Sequence, residues 1–217
     1  MKWSEQAWER VRPIYNQILS MPFNTELSNG TLAKEKFIFY LAQDAYYLLE
    51  FGRTLSAISG RMQKADLVMA FAGFSTGAIF AERSLHESYF VEFGLESEVQ
   101  PTPSTLLYTN YMLSQAAYAH VEIAVAAVLP CFWIYKAVGD YIFAQQNGNE
   151  NPYQRWIDMY AGTEFAAAVE KAIDITDELA AQANAATQQK MLEAFEMATR
   201  LEWMFWNSSY ELEKWKI

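Results

Sequence analysis

Leu129-Pro130-Cys131-Phe132-Trp133-Ile134-Tyr135 interrupts a run that otherwise reads as one long apolar helix. It holds the chain's one cysteine, directly after a proline. Proline removes a backbone donor and its ring crowds the carbonyl four residues back, here Ala126, so a kink is expected. A kink leaves backbone groups unpaired near the break, and Tyr135 falls on the face of Cys131 one turn further on. The stretch therefore predicts an aromatic-walled pocket containing a thiol. The competing reading is a buried structural thiol, since free cysteine is among the most buried residue types.

Outward from this stretch nearly everything reads as helix. Val-Ile-Thr alternations are few, glycines number 9 and prolines 6, and apolar residues recur at helical spacing. Ser4 is expected to cap a first helix running to about Leu19, with a turn-rich piece following from Met21 to Gly30. Thr31 is expected to cap a second helix ending near Ser59-Gly60, and a third covers roughly residues 63–93. Gly73 and Gly77, four apart in that third helix, would let another helix approach closely. In Pro101-Thr102-Pro103, threonine as N-cap and proline at the first helical position form a start signal for a fourth helix reaching about Ala119. The fifth carries Cys131 and ends in Asn147-Gly148-Asn149. Asn151-Pro152 opens a sixth that stops at Gly162, Thr163 starts a seventh and Thr187 an eighth. Without repeats or a linker, residues 1–217 are expected to form a single all-α domain, a multi-helix bundle around a central cavity.

Composition narrows the partners. Hydrophobic residues make up 52% of 217, which is ample for a large core, and 16% are aromatic, which suits flat ligands and large interfaces. A net charge of −10 argues against nucleic acid and anionic membrane surfaces, both of which need a basic footprint. The N-terminal residues lack a signal peptide's apolar core. No stretch of about 18 residues is expected to span a bilayer, the nearest, 121–135, being spoiled by Glu122 and Pro130. One cysteine excludes an internal disulfide framework, so the expected location is cytoplasmic.

Two carboxylates sit where apolar side chains belong. Phe37, Tyr40, Asp44, Tyr47 and Phe51 follow 3-4-3-4 spacing and share one helical face, aromatic except for the central aspartate. Such an aspartate calls for a cationic or hydrogen-bonding partner, or a raised pKa. It could instead point sideways to a basic residue of a neighbouring helix. In the last helix Phe195, Ala198, Glu202 and Phe205 share a face with Trp206 beside it, and Glu202 lies in its most apolar part. Its alternative is a solvated glutamate at the stripe edge, near Arg200 and Glu196. Tyr153, Trp156, Ile157 and Tyr160 in the sixth helix, and Tyr108, Tyr111 and Met112 in the fourth, read singly as core. Together with a thiol and two carboxylates they compose a site for a flat, polar heteroaromatic molecule with the thiol as nucleophile.

A metal site is disfavoured. The chain has two histidines, His86 and His120, and no Glu-x-x-His pair of the kind a bundle di-metal centre uses. Glu82 and His86, four apart, are expected to orient each other or a neighbouring helix.

Gln43-Asp44-Ala45-Tyr46-Tyr47, the stretch from Leu129 to Tyr135, the stretch from Tyr153 to Tyr160, and Glu202-Trp203-Met204-Phe205-Trp206 together resemble the TenA family, thiaminase II. The resemblance covers essentially the whole chain, with four motifs in the family's order and spacing. It implies the haem-oxygenase-like helical fold, a homotetramer, and hydrolysis of 4-amino-5-aminomethyl-2-methylpyrimidine to the hydroxymethyl compound. Cleavage of thiamine itself is a related activity. Cys131 places the chain in the family's cysteine branch and would be the nucleophile. Asp44 would bind the amidine-like edge of the pyrimidine and Glu202 would be general acid and base. Tyr47, Tyr108, Tyr135 and Tyr160 would line the ring and Phe205 would pack on it, with Tyr111 competing with Tyr108. The resemblance implies no metal and no organic cofactor. Two other functions fit the same features: a non-catalytic binder of thiamine-derived pyrimidines, and a haem or di-metal oxidative enzyme on this fold.

Overall fold

The computed structural model describes residues 1–93, 99–146 and 150–217, with the backbone alone for residues 81–88 and 90–93. Among the described residues there are nine helices and no strands. They are α1 (Trp3–Ser20), α2 (Pro22–Ser28), α3 (Lys34–Ser59), α4 (Ala65–Phe93), α5 (Pro103–Tyr118), α6 (Val121–Gln145), α7 (Gln154–Ala161), α8 (Thr163–Gln182) and α9 (Ala185–Tyr210). The chain divides into two compact units, one of residues 1–32 and 122–203, the other of residues 33–121 and 204–217.

In the first unit α1 packs on α2 and α8, and α7 on α8. α1 begins at Trp3, not at a Ser4 cap. Glu5 reaches back to accept from the Lys2 N–H (2.8 Å), and Ser4 is turned to α8, donating from N (2.8 Å) and Oγ (2.7 Å) to the Asp177 carboxylate. An acid from another helix thus supplies the oxygen acceptors that the serine was expected to provide. The piece expected to be turn-rich contains α2. Pro22 opens it and Gly30, at φ +69°, closes it, with Gly30 N bonded to Leu27 O and Thr31 N to Glu26 O. That is a Schellman ending, so Thr31 belongs to the close of α2 and α3 starts at Lys34.

α6 runs through Pro130 and is buried without interruption from Ile123 to Phe132. By length and composition it could cross a bilayer, contrary to the sequence expectation. Its most apolar window is 72% buried, which accounts for that composition as core. Asn147, Gly148 and Asn149, expected to end this helix, lie outside the described residues. α7 starts at Gln154, a turn after Asn151-Pro152, and α9 starts at Ala185, two residues ahead of Thr187.

In the second unit α3 packs along α4 and α5. Thr102 caps α5 through Oγ1, which accepts from Thr105 N at 3.3 Å, and Pro103 occupies the first turn. At its other end Arg61 donates to the carbonyls of Ala116 and Ala119. Gly73 and Gly77 do not mark a close helix contact, because a Cβ at either would meet nothing within 4 Å. The close approach of α3 and α4 is at Gly52 of α3, which faces Ile79 of α4, whose Cγ1 would lie 3.1 Å from an added Cβ.

Candidate active site

The second unit contains Asp44, Tyr47, Tyr108 and Phe205, and the first contains Cys131, Tyr135, Tyr160 and Glu202. On α3 the expected face is real: Phe37, Tyr40, Asp44, Tyr47 and Phe51 are all buried, Asp44 to 1% exposure. Tyr47 is the hub of the aromatic cluster there. Its ring meets Tyr108 of α5 at 5.1 Å and 41°, Phe205 of α9 at 5.3 Å and 45°, and Phe51 in a stack at 5.8 Å and 13°. Its hydroxyl donates to Met112 Sδ at 3.6 Å. Phe205 also lies edge-on to Tyr40, at 5.8 Å and 73°. Tyr40 and Tyr47 stand four residues before and three after Asp44, so the carboxylate issues from between two ring-bearing turns. Tyr108 is buried completely, whereas Tyr111, one turn on, is half-buried and its phenol is pushed up to about 12 by burial.

In the first unit Cys131 and Tyr135 stand one turn apart on α6, both buried, Cys131 to 8% exposure. Tyr135 meets Tyr160 of α7 at 4.9 Å and 39°, and Tyr160 in turn touches Trp156 at 4.6 Å and Phe165 edge-on at 5.4 Å. One turn beyond Tyr135, Gly139 lets the α7 backbone come close. A Cβ there would lie 2.7 Å from Tyr160 Cβ and 2.8 Å from its carbonyl carbon. Trp133, about 200° round the helix from Cys131, stacks on Trp8 at 4.7 Å and 26°. Glu202 of α9 is fully buried, at 0% exposure, which overturns its reading as a solvated glutamate. The exposed ion pairs lie elsewhere on α9, where Glu196 binds both Arg10 and Arg200 at 2.6 Å. Tyr153 is occupied locally, its hydroxyl donating to the Leu32 carbonyl.

Sequence reasoning missed Gly139. The signal was present, a lone glycine one turn beyond Tyr135 in a helix of larger residues, but its meaning depends on where α7 lands. Among the described residues no group of three or more His, Cys, Asp and Glu side chains is placed to hold a metal ion. His120 is exposed, and the side chains of Glu82 and His86 lie outside the described residues.

Chemically, the second unit holds a buried carboxyl group between aromatic rings, a pairing suited to a flat donor-bearing ring. The first holds a buried thiol one turn from Tyr135 on α6 and, on α9, a buried carboxylate. Residues 8–212 match the model of the TENA/THI-4/PQQC family. The chain belongs to that family. A thiamine biosynthesis multifunctional protein ThiED of Corynebacterium efficiens is 34% identical over 93% of this chain, and the chain spans 29% of that protein's length. An aminopyrimidine aminohydrolase of Halalkalibacterium halodurans is 29% identical over 99% of this chain and 98% of its own. Among solved structures, a TenA homologue from P. horikoshii OT3 has a TM-score of 0.89 at 23% identity, covering 97% of this chain and 99% of its own. A Shewanella denitrificans domain with a heme oxygenase-like fold has a TM-score of 0.76 at 14% identity, covering 96% and 92%. This TenA-family chain has the haem-oxygenase-like, all-α fold that its sequence motifs imply.

Proposed function

We propose that this TenA-family chain is an aminopyrimidine aminohydrolase that converts 4-amino-5-aminomethyl-2-methylpyrimidine and water to the 5-hydroxymethyl compound and ammonia, and that it also cleaves thiamine. The observation that carries the reading is the burial of two carboxylates, Asp44 and Glu202, in a chain that matches a named aminopyrimidine aminohydrolase along its length. In a low-dielectric surrounding a carboxylate holds an amidine-like or ammonium group far more firmly than in water. The family match over residues 8–212 supports treating the whole chain as one functional domain.

The aminomethyl group does not leave unaided, because the aromatic ring has little electron density to push it out. Addition of the Cys131 thiolate to the ring carbon beside the substituted one forms a C–S bond, removes aromaticity and supplies that push. Asp44 holds the amidine-like edge and keeps the ring protonated, which raises its electrophilicity. Glu202 delivers a proton to the amine, and ammonia departs to leave an exocyclic methylene. Glu202 then takes a proton from water as its oxygen adds to that methylene, and the C–S bond breaks to restore the ring and the thiolate. Tyr47, Tyr108, Tyr135 and Tyr160 line the ring and Phe205 packs on it. The cycle uses only protein side chains and water.

Met69 at 70% exposure, Phe80 at 65% and Leu107 at 51%, all in the second unit, support a homotetramer in which such apolar surface is covered. The single cysteine, which excludes an internal disulfide framework, supports a cytoplasmic location. Incubation with the aminomethylpyrimidine, and separately with thiamine, followed by assay of ammonia and the hydroxymethyl product, tests the proposal. Ammonia and hydroxymethyl product in equal amounts are expected from the aminomethylpyrimidine, and hydroxymethyl product with the released thiazole, without ammonia, from thiamine. Binding of the pyrimidine without turnover would establish the non-catalytic binder instead.

A further inference from the structure

Gln43, directly before Asp44 on α3, is 3% exposed and spends both ends of its amide on one short stretch of backbone. Its Nε2 donates to the Gln100 carbonyl at 3.1 Å, and its Oε1 accepts from the Thr102 N–H at 2.9 Å. The side-chain amide thus bridges the peptide groups on either side of Pro101 as a neighbouring strand would. Thr102 is the residue that caps α5. A second grip comes from the C-terminal segment, where the Glu213 carboxylate accepts from Ser104 N at 2.9 Å and Ser104 Oγ at 3.1 Å. Trp215 Nε1 donates to the Pro101 carbonyl at 3.0 Å. Among these bonds Gln43 alone ties the start of α5 to α3.

What α5 carries from that start is the other side of the Tyr47 cluster. Tyr108 lies one turn beyond Ser104 and Met112 one turn further, and both touch Tyr47, on α3 one turn past Gln43 and Asp44. α3 and α5 therefore meet at Gln43 and, one turn on, at Tyr47, while Arg61, just past the end of α3, holds the far end of α5. The paired amide bonds of Gln43 fix how far along α3 the start of α5 sits, and the Tyr47 contacts to Tyr108 and Met112 follow from that start. We infer that Gln43 is a positioning residue for the reaction proposed above: it sets the register of α5 on α3, and so the placing of Tyr108 relative to Tyr47 and Asp44 for the pyrimidine ring.

The test pairs Gln43→Leu, which keeps the volume and removes the amide, with Gln43→Glu, which keeps the acceptor for Thr102 N–H and loses the donor to Gln100. Expected for Gln43→Leu is a rise of about tenfold in KM for the aminomethylpyrimidine and in Kd for the hydroxymethyl product, with kcat within about threefold. Gln43→Glu should fall between it and wild type. Amide hydrogen exchange over residues 104–108, measured without ligand, should quicken in the same order. Ser4→Ala, which weakens the tie to Asp177 in the first unit, controls for lost stability and should leave KM unchanged.

An unchanged KM in a folded Gln43→Leu protein that has lost thermal stability would make Gln43 purely structural and overturn the inference. If Gln43→Leu does not fold, Gln43→Glu decides by the same criteria. An inactive wild type would sink the proposed function, and unaltered exchange over 104–108 would then sink the register role as well.

Discussion

Adding one methyl group at Gly139 should displace Tyr160. A Cβ at this position would stand 2.7 Å from Tyr160 Cβ, 2.8 Å from its carbonyl carbon and 3.1 Å from its oxygen. Ordinary carbon–carbon contact begins near ~3.5 Å, so α7 must retreat by about 0.8 Å. Two of the three obstructing atoms are backbone, so no rotamer change relieves the clash. Overpacking of this kind costs about 1–3 kcal/mol. Exchanging glycine for alanine inside a helix returns only ~0.5–1 kcal/mol. At the middle of both ranges the overpacking wins, for a net loss of about 1 kcal/mol, or roughly 2–4 °C in Tm for a chain of this size. Tyr160 would carry its ring away from Tyr135, now 4.9 Å distant, so KM for the aminomethylpyrimidine should rise several-fold. Thermal melting followed by circular dichroism, with steady-state kinetics well below the melting range, measures both. A Gly139→Ala protein with a higher Tm than wild type and an unchanged KM would refute the reasoning, since helix propensity would then be the only term at work.

Asp44→Asn replaces an anionic acceptor by a neutral amide and should lower kcat/KM for the aminomethylpyrimidine at least about fivefold, ~1 kcal/mol; a smaller loss would make Asp44 structural. For Glu196, burial alone would raise the carboxyl pKa, but hydrogen bonds from Arg10 and Arg200 and their charges outweigh it and hold the group below 4.5. Its contribution to stability is therefore present above pH 4.5 and lost as pH falls through the lowered folded value, so the Tm gap between wild type and Glu196→Gln should close on acidification. A gap that stays constant into that range would contradict the assignment. Sedimentation at micromolar concentration should give four times the chain mass of 24.9 kDa, and a monomer would remove the assembly proposed for the exposed apolar side chains.

The parts legible in the sequence were those set by helical period. The 3-4-3-4 spacing around Asp44 placed five side chains on one face, and all five are buried, the four aromatic ones as their type requires and Asp44 because packing covers the face they share. Thr102 and Pro103 marked the start of α5 because capping and proline geometry act within one turn. The alternative for Glu202 was decided only by packing, because a glutamate at a stripe edge turns inward or outward according to what covers the helix. Ser4 looked like a cap until Asp177, 173 residues away in sequence, supplied the acceptor oxygens. Gly73 and Gly77 looked like a helix contact and are open, whereas Gly139 has the backbone of α7 against it. A missing Cβ creates room, and only tertiary structure determines whether anything enters it. α2 was hidden because its signals, proline at the start and a left-handed glycine after the end, are also those of a turn.

Replacing Cys131 by serine tests the central claim most directly. The change nearly preserves volume but exchanges a thiol of reference pKa about 8.5 for an alcohol that hardly ionises. The variant should fold and assemble like wild type and still bind the hydroxymethylpyrimidine. Its kcat for ammonia release from the aminomethylpyrimidine should fall at least about a hundredfold. In the wild type a small alkylating agent should react with the thiol, and bound pyrimidine should protect it. Near-normal ammonia release by Cys131→Ser, with slow alkylation of the wild type that ligand does not affect, would make Cys131 a packing residue and end its assignment as nucleophile.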